Sequence, residues 1–150
     1  MHIALGSDHG GFRLKESIKS YLLKKGFEVT DYGTNSENSV DYPDFAQKAS
    51  LAVQKGECEK GILICSTGIG ISIAANKVRG IRCALCSDLL SARLTREHND
   101  TNMLAMGAFI VAEKLAIAIV NEWLSTPYSN EERHTKRINK IHELENNHLN

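Results

Sequence analysis

The chain carries no excess of either charge: 18 Lys and Arg stand against 18 Asp and Glu, a formal net charge of zero. It also has no long basic run, so it lacks the electrostatic footprint of a nucleic-acid binder, and no nucleic-acid partner is expected. No apolar stretch approaches the roughly 20 residues needed to cross a bilayer. Met1-His2-Ile3 leads straight into an apolar run, which leaves no room for a signal peptide. The protein is therefore expected to be cytoplasmic and free of membrane contact. Four cysteines do not make a disulfide framework in an intracellular chain of this length, and they are read as free thiols. No internal repeat, linker or low-complexity run divides the 150 residues, which are enough for one domain with a proper core and no disulfide or metal staples.

What the chain does have is the stretch KGILICSTGIGISIAAN, from Lys60 to Asn76. Ile62 to Ile64 is a short apolar run suited to a strand buried on both faces of a parallel sheet. It turns abruptly into Cys65-Ser66-Thr67-Gly68-Ile69-Gly70. After the second glycine, Ile71, Ala74, Ala75 and Val78 fall at helical spacing. Strand, tight loop and helix in succession point the loop's backbone N–H groups outward as an anion site. The loop also holds a thiol two residues from a hydroxyl, at the positive end of a helix where reactive cysteines are found.

The rest of the chain repeats this alternation. His2 to Gly6 reads as a first buried strand ending in the polar cluster Ser7-Asp8-His9-Gly10-Gly11. A helix follows with Leu14, Ile18, Tyr21 and Leu22 on one face, lysines on the other, and Gly26 as its stop. Phe27 to Tyr32 alternates as a strand nearer a sheet edge does. After the polar loop Gly33 to Asp44, Pro43 and Asp44 open a helix through Ala46, Ala49, Leu51 and Val53. Ile81 to Cys86 is a fourth strand ending at Ser87-Asp88, Leu89 to Glu97 a fourth helix closed by His98 to Asn102, and Met103 to Met106 a fifth strand. Ala112 to Leu124 is a helix apolar almost all round, which needs cover on more than one side. Pro127 breaks it, and the charged tail carries Ile138, Ile141 and Leu144 on one side. The pattern predicts a single-domain, Rossmann-like three-layer α/β/α sandwich over residues 1–150, with a five-stranded parallel sheet and a helical tail from about residue 128.

Ligands of such sheets bind beyond the carboxyl ends of the strands, where Ser7 to Gly11, Cys65 to Gly70 and Ser87-Asp88 all fall. His98 to Asn102 instead precedes the fifth strand, at the opposite edge of the sheet, and joins the other clusters only if a second subunit supplies it. Each candidate also has a structural reading. Cys65 is an acid–base or nucleophilic thiol, or a small buried hydrophobe. Asp8 and His9 face a ligand, or cap the helix that follows. His98 with Asn99 serves a site, or satisfies a helix dipole. Arg133 and Arg137, spaced i, i+4, grip a phosphate together or line a solvated face. Cys83-x-x-Cys86 lies in a strand, on opposite faces, with no second pair to complete a zinc site, and no metal is expected. Gly68-x-Gly70 fits a dinucleotide fingerprint poorly, because Ile73 stands at the third small position and the glycines follow the third strand. Asp88, about twenty residues on, keeps a nicotinamide oxidoreductase as an alternative.

Taken together and in order, Gly6-Ser7-Asp8-His9-Gly10-Gly11, Asp41-Tyr42-Pro43, Ile64 to Lys77, Arg96 to Asn102 and Arg133-His134 to Arg137 resemble the type B ribose-5-phosphate isomerases. The resemblance runs essentially from end to end. Galactose-6-phosphate isomerase subunits share the architecture, and allose-6-phosphate isomerases nearly everything. The resemblance implies an aldose–ketose isomerase of the pentose phosphate pathway, converting ribose 5-phosphate and ribulose 5-phosphate through a cis-enediolate without metal or other cofactor. It implies Cys65 as the base, with Thr67 and the N–H groups of Ser66, Gly68, Ile69 and Gly70 on the enediolate oxygens. Asp8 then handles hydroxyl protons, and His98, with Asn99 beside it, opens the furanose ring. His9, Arg133 and Arg137 bind the phosphate, and Tyr42 lines the pocket. It further implies a homodimer, alone or within a tetramer, whose sites His98 and Asn99 complete from across the interface; such an interface would also cover the apolar helix. Two positions depart from the pattern: Ser66 stands where many relatives have glycine, and Phe109 where many place an arginine on the phosphate. An allose-6-phosphate or galactose-6-phosphate isomerase, or a non-catalytic sugar-phosphate-binding subunit, are the alternatives.

Overall fold

Short apolar runs become strands where both faces find cover, and five do so here: β1 (His2–Ser7), β2 (Glu28–Asp31), β3 (Lys60–Cys65), β4 (Cys83–Leu85) and β5 (Met103–Gly107). The structure is a computed structural model and describes residues 1–147. All neighbouring strands pair parallel, in the order β2-β1-β3-β5-β4. The central strand is β3, and Ile62, Leu63 and Ile64 are each fully buried. The described residues form six α-helices: α1 (Phe12–Lys24), α2 (Tyr42–Gln54), α3 (Ile69–Ala75), α4 (Leu89–Asn99), α5 (Glu113–Ser125) and α6 (Glu132–Asn147). One sheet face packs Ile3, Leu5, Ile62 and Ile64 against apolar residues of α1, α4 and α5. The other packs Ala4, Leu63 and Ala105 against α2 and α3. This is the expected three-layer α/β/α sandwich, with α6 as its helical tail. None of the described helices is long and apolar enough to cross a membrane.

Local chemistry moved several boundaries. The third helix begins at Ile69, one residue before Gly70, because Gly68 already makes the turn with φ 77. A Cβ at Gly68 would also lie 2.5 Å from Leu85 Cδ1 and 2.7 Å from the Met106 carbonyl carbon, so both conformation and space require glycine there. The same helix stops at Ala75, short of Val78. Asn76 Nδ2 donates to the carbonyls of Ser72 at 3.0 Å and Cys83 at 2.9 Å, and its Oδ1 accepts from Cys83 N–H at 2.8 Å. That side chain ends the helix and joins it to β4. The fourth helix runs on through His98 and Asn99 and closes at Asp100, which takes φ 43. Cys83 and Cys86 do pack on opposite faces of the sheet.

Two expectations about packing need correction. The apolar helix α5 is covered for the most part by its own chain: Ala116, Ile119, Val120 and Trp123 are fully buried, and Leu115 is 38% exposed. Its flanks are tied to α1 by Tyr21 Oη donating to Asn121 Oδ1 (3.0 Å) and to α4 by Arg93 Nε on Glu122 Oε1 (2.6 Å). Most of its apolar surface is therefore covered without a second subunit. Nor do all the lysines of α1 face solvent. Lys15 is buried, with its Nζ shared between Asp31 and Glu16, while Lys19 reaches the same Asp31 oxygen at 2.9 Å.

Burial by itself pushes the Asp31 carboxyl up. The two ammoniums and the Gly33 N–H outweigh it and hold the group below its ordinary value. A carboxylate depressed in this way stabilises the fold above its unfolded value, and the contribution is lost as pH falls through the folded one. Asp31→Asn leaves a buried ammonium with a weaker partner and should cost about 3 kcal/mol at pH 7. In urea titrations the gap between variant and wild type should close in acid, where Asp31 itself protonates. A gap of equal size at pH 7 and in strong acid would mean that Lys15 does not depend on the Asp31 charge.

Candidate active site

Strands β1 and β3 are neighbours in a register that sets Ser7 beside Ile64, so Asp8 and Cys65 leave the sheet side by side at its carboxyl edge. Asp8 is buried, and its Oδ1 accepts from Gly11 N–H at 3.1 Å, capping the single 3-10 turn His9–Gly11. The capping reading therefore holds, at a position that also faces the thiol loop. His9 Nδ1 accepts from Val40 N–H at 3.2 Å, which ties the loop before α2 to the site and leaves Nε2 as the other nitrogen of the ring. A Cβ on Gly10 would overlap Ser66 Oγ, so the two loops are in direct contact. Tyr42, at the start of α2, lies against Gly70, where an added Cβ would come 2.5 Å from Tyr42 Cζ.

Cys65 is 5% exposed, and its Sγ accepts the Gly68 N–H at 3.1 Å. Ile69 N–H donates to Thr67 Oγ1 at 3.3 Å. Two of the loop's donors are thus turned onto the thiol and hydroxyl that flank them. The exit of β5 fixes the loop from behind: Ala108 and Phe109 N–H donate to the carbonyls of Cys65 and Ser66, both at 2.9 Å. The structure thus gathers Asp8, His9, Tyr42, Cys65, Ser66, Thr67, Gly68, Ile69 and Gly70 at one edge. A thiol that accepts a backbone hydrogen bond, on a loop that adjoins the strand end carrying Asp8, is equipped to move protons.

The remaining candidates lie at the other edge. Register pairs Gly61 with Met103 and Cys65 with Gly107, so the sheet alone sets the start of β5 about 13 Å from the thiol end. His98 and Asn99 come before that start. The ring of His98 packs on His134, centroids 4.3 Å apart and tilted by 36°. His134 is buried, its Nδ1 is 2.7 Å from Ser129 Oγ, and Ser129 N–H donates to the Glu97 carbonyl. Burial lowers the His134 pKa, and the nearby His98 lowers it further. Arg82 donates to the carbonyls of Asn99 (2.9 Å) and Asp100 (2.7 Å), and buried Arg96 holds Asp100 Oδ1 at 2.8 Å and the Thr101 carbonyl at 2.6 Å. The turn that presents His98 and Asn99 is therefore firmly held.

Arg133 and Arg137 lie exposed on α6, with Arg133 Nε on Glu131 Oε2 at 2.6 Å. Sequence reasoning gave His134 no role. The available signal was the apolar face of α6: counting back four residues from the buried Ile138 lands on His134, not on either arginine.

The family model for ribose/galactose isomerase matches residues 3–141. The chain is 50% identical over 143 residues to ribose-5-phosphate isomerase B of Escherichia coli (strain K12), covering 95% of each. It superposes on a Clostridium thermocellum ribose-5-phosphate isomerase B with a TM-score of 0.97 at 52% identity, covering 99% of both chains. A Mycoplasma genitalium ribose-5-phosphate isomerase B, solved with bound ribulose-5-phosphate, superposes with a TM-score of 0.92 at 39% identity, covering 97% of this chain and 96% of that one.

Proposed function

Because the chain belongs to the ribose/galactose isomerase family, we propose that it interconverts ribose 5-phosphate and ribulose 5-phosphate, a step of the pentose phosphate pathway, with Cys65 as the base. The observation that carries this reading is that Cys65, its thiol accepting from Gly68 N–H in a donor-rich loop, and Asp8 leave the sheet at adjoining strand ends. In the aldose-to-ketose direction Cys65 takes the proton from C2. The C–H electron pair becomes the C1=C2 bond of a cis-enediolate, and charge passes to O1. Thr67 Oγ1 and the N–H groups of Ser66 to Gly70 hold the two oxygens, since donors fixed where charge develops stabilise the transition state most. Asp8 moves the proton between O2 and O1, and the thiol returns its proton to C1. Every step is a proton transfer, so the scheme calls on neither metal nor redox cofactor.

In the same reading His98 opens the furanose ring with Asn99 beside it, His9, Arg133 and Arg137 hold the phosphate, and Tyr42 closes the pocket over Gly70. These groups reach one sugar only if a second copy brings its His98 edge to the Cys65 edge of the first, which makes a homodimer the minimal unit. An exposed apolar surface of Ile69 and Ile73 on α3, Leu85 on β4 and Leu89 and Leu90 on α4 offers such an interface. The test is to incubate the purified protein with ribose 5-phosphate and no added cofactor, and to assay for ketose. Allose 6-phosphate and galactose 6-phosphate serve as competing substrates. Preference for either of those reassigns the substrate, and ketose from none of the three leaves a non-catalytic binding subunit.

A further inference from the structure

A groove of about 670 Å³ adjoins the thiol loop. His9 and Gly10 form one wall, Ala108 and Phe109 the other, and Arg13 with Glu37 stands at its side. Both walls touch Ser66: Gly10 packs against its Oγ, and Phe109 N–H donates to its carbonyl. A sugar with its first two carbons at Cys65 therefore has room to extend its far end here. We propose that Arg13 receives the anionic end of the substrate in this groove, and that Glu37 is the internal anion it releases to do so. The inference rests on the reading above, in which His9 faces the substrate phosphate.

The charges of the groove support the assignment. Arg13 is the only guanidinium lining it among the described residues. Phe109 is 77% exposed and contributes an apolar wall without charge. Of the two carboxylates, Glu113 is engaged with α1, accepting from Ser17 Oγ at 3.0 Å. Glu37 pairs with Arg13 through both oxygens, Oε1 at 2.5 Å from Nε and Oε2 at 3.0 Å from Nη2. The side chains of that pair are 83% and 56% exposed, and so open a surface pair contributes little to stability. A phosphate dianion carries more charge than one carboxylate and can match its two-point grip on the guanidinium, so it competes with Glu37 for Arg13.

Two variants that both break the ion pair separate ligand binding from a structural role. If Arg13 grips phosphate, Arg13→Gln raises KM for ribose 5-phosphate about tenfold. Glu37→Gln, which frees the guanidinium, lowers it by about two- to threefold. A purely structural pair predicts shifts in the same direction for both. Lys24→Gln removes an equal charge about 16 Å away along α1, beyond the screening length. An effect there equal to that of Arg13→Gln would assign the change to the protein's overall field and overturn the proposal. Calorimetric titration with inorganic phosphate reads the same contact without turnover. A wild type that isomerises no sugar phosphate refutes the isomerase reading; weaker phosphate binding in Arg13→Gln still upholds this one. Active wild type with KM and phosphate affinity unmoved in Arg13→Gln refutes this one alone.

Discussion

Cys65→Ala is expected to lower kcat on ribose 5-phosphate by about a hundredfold to ten-thousandfold, the usual contribution of a general base. The side chain is small, almost fully buried and held by a single hydrogen bond from Gly68 N–H, so its loss removes little packing. Gly68 is fixed independently by its close fit against Leu85 and β5, which should keep the loop in place. We expect destabilisation of about 1 kcal/mol, a fall in Tm of roughly 2 to 4 °C for a chain of this size. Cys65→Ser sharpens the test, because it keeps a hydrogen-bonding atom at the strand end and replaces a thiol with a far weaker acid. Both variants should be inactive and folded. If either retains more than a tenth of wild-type kcat, the base is another group.

The chain announced β3 and its loop plainly, because an apolar run ending in Cys-Ser-Thr-Gly has few other solutions than strand, turn and helix. The left-handed Gly68 is the residue that makes the turn, and its need for glycine is a local matter that a sequence can express. Chain order also placed His98 at the far edge, since a residue just before a parallel strand cannot lie at that strand's carboxyl end. What stayed hidden depends on partners distant in sequence. Lys15 looked like a solvated lysine because its partner, Asp31, lies sixteen residues away on β2. The end of α3 was set by Asn76 bonding across to β4, which no helical periodicity reports. The apolar α5 suggested a missing subunit, whereas α1 and α4 close over it from either side. His134 and Arg13 acquired meaning only once α6 met α4 and the β5 exit met α1. The edge place of β2 and the central place of β3 were legible in their patterns, whereas strand order at the far edge, decided by such distant pairings, was beyond reach.

Mixing two inactive proteins should restore activity. In a dimer whose sites each draw Cys65 and Asp8 from one chain and His98 from the other, a Cys65→Ala homodimer has no intact site, and neither has a His98→Ala homodimer. A heterodimer of the two concentrates both lesions in one site and leaves the second whole. Equal mixing with random exchange makes half the dimers mixed, each with one good site of two, so activity should recover to about a quarter of wild type. The separation of the two half-sites across the sheet is the reason to expect this, because β5 alone sets about 13 Å between the Cys65 edge and the turn that follows His98. A control comes from the same geometry. Cys65→Ala mixed with Asp8→Asn damages the same half-site in both chains, so no pairing assembles an intact site and activity should stay at the sum of the two variants. Recovery in the first mixture and none in the second establishes a site shared between chains. No recovery in either, with exchange confirmed by differently tagged chains, means that His98 does not serve a site containing the partner's Cys65, and its proposed part in ring opening fails with it.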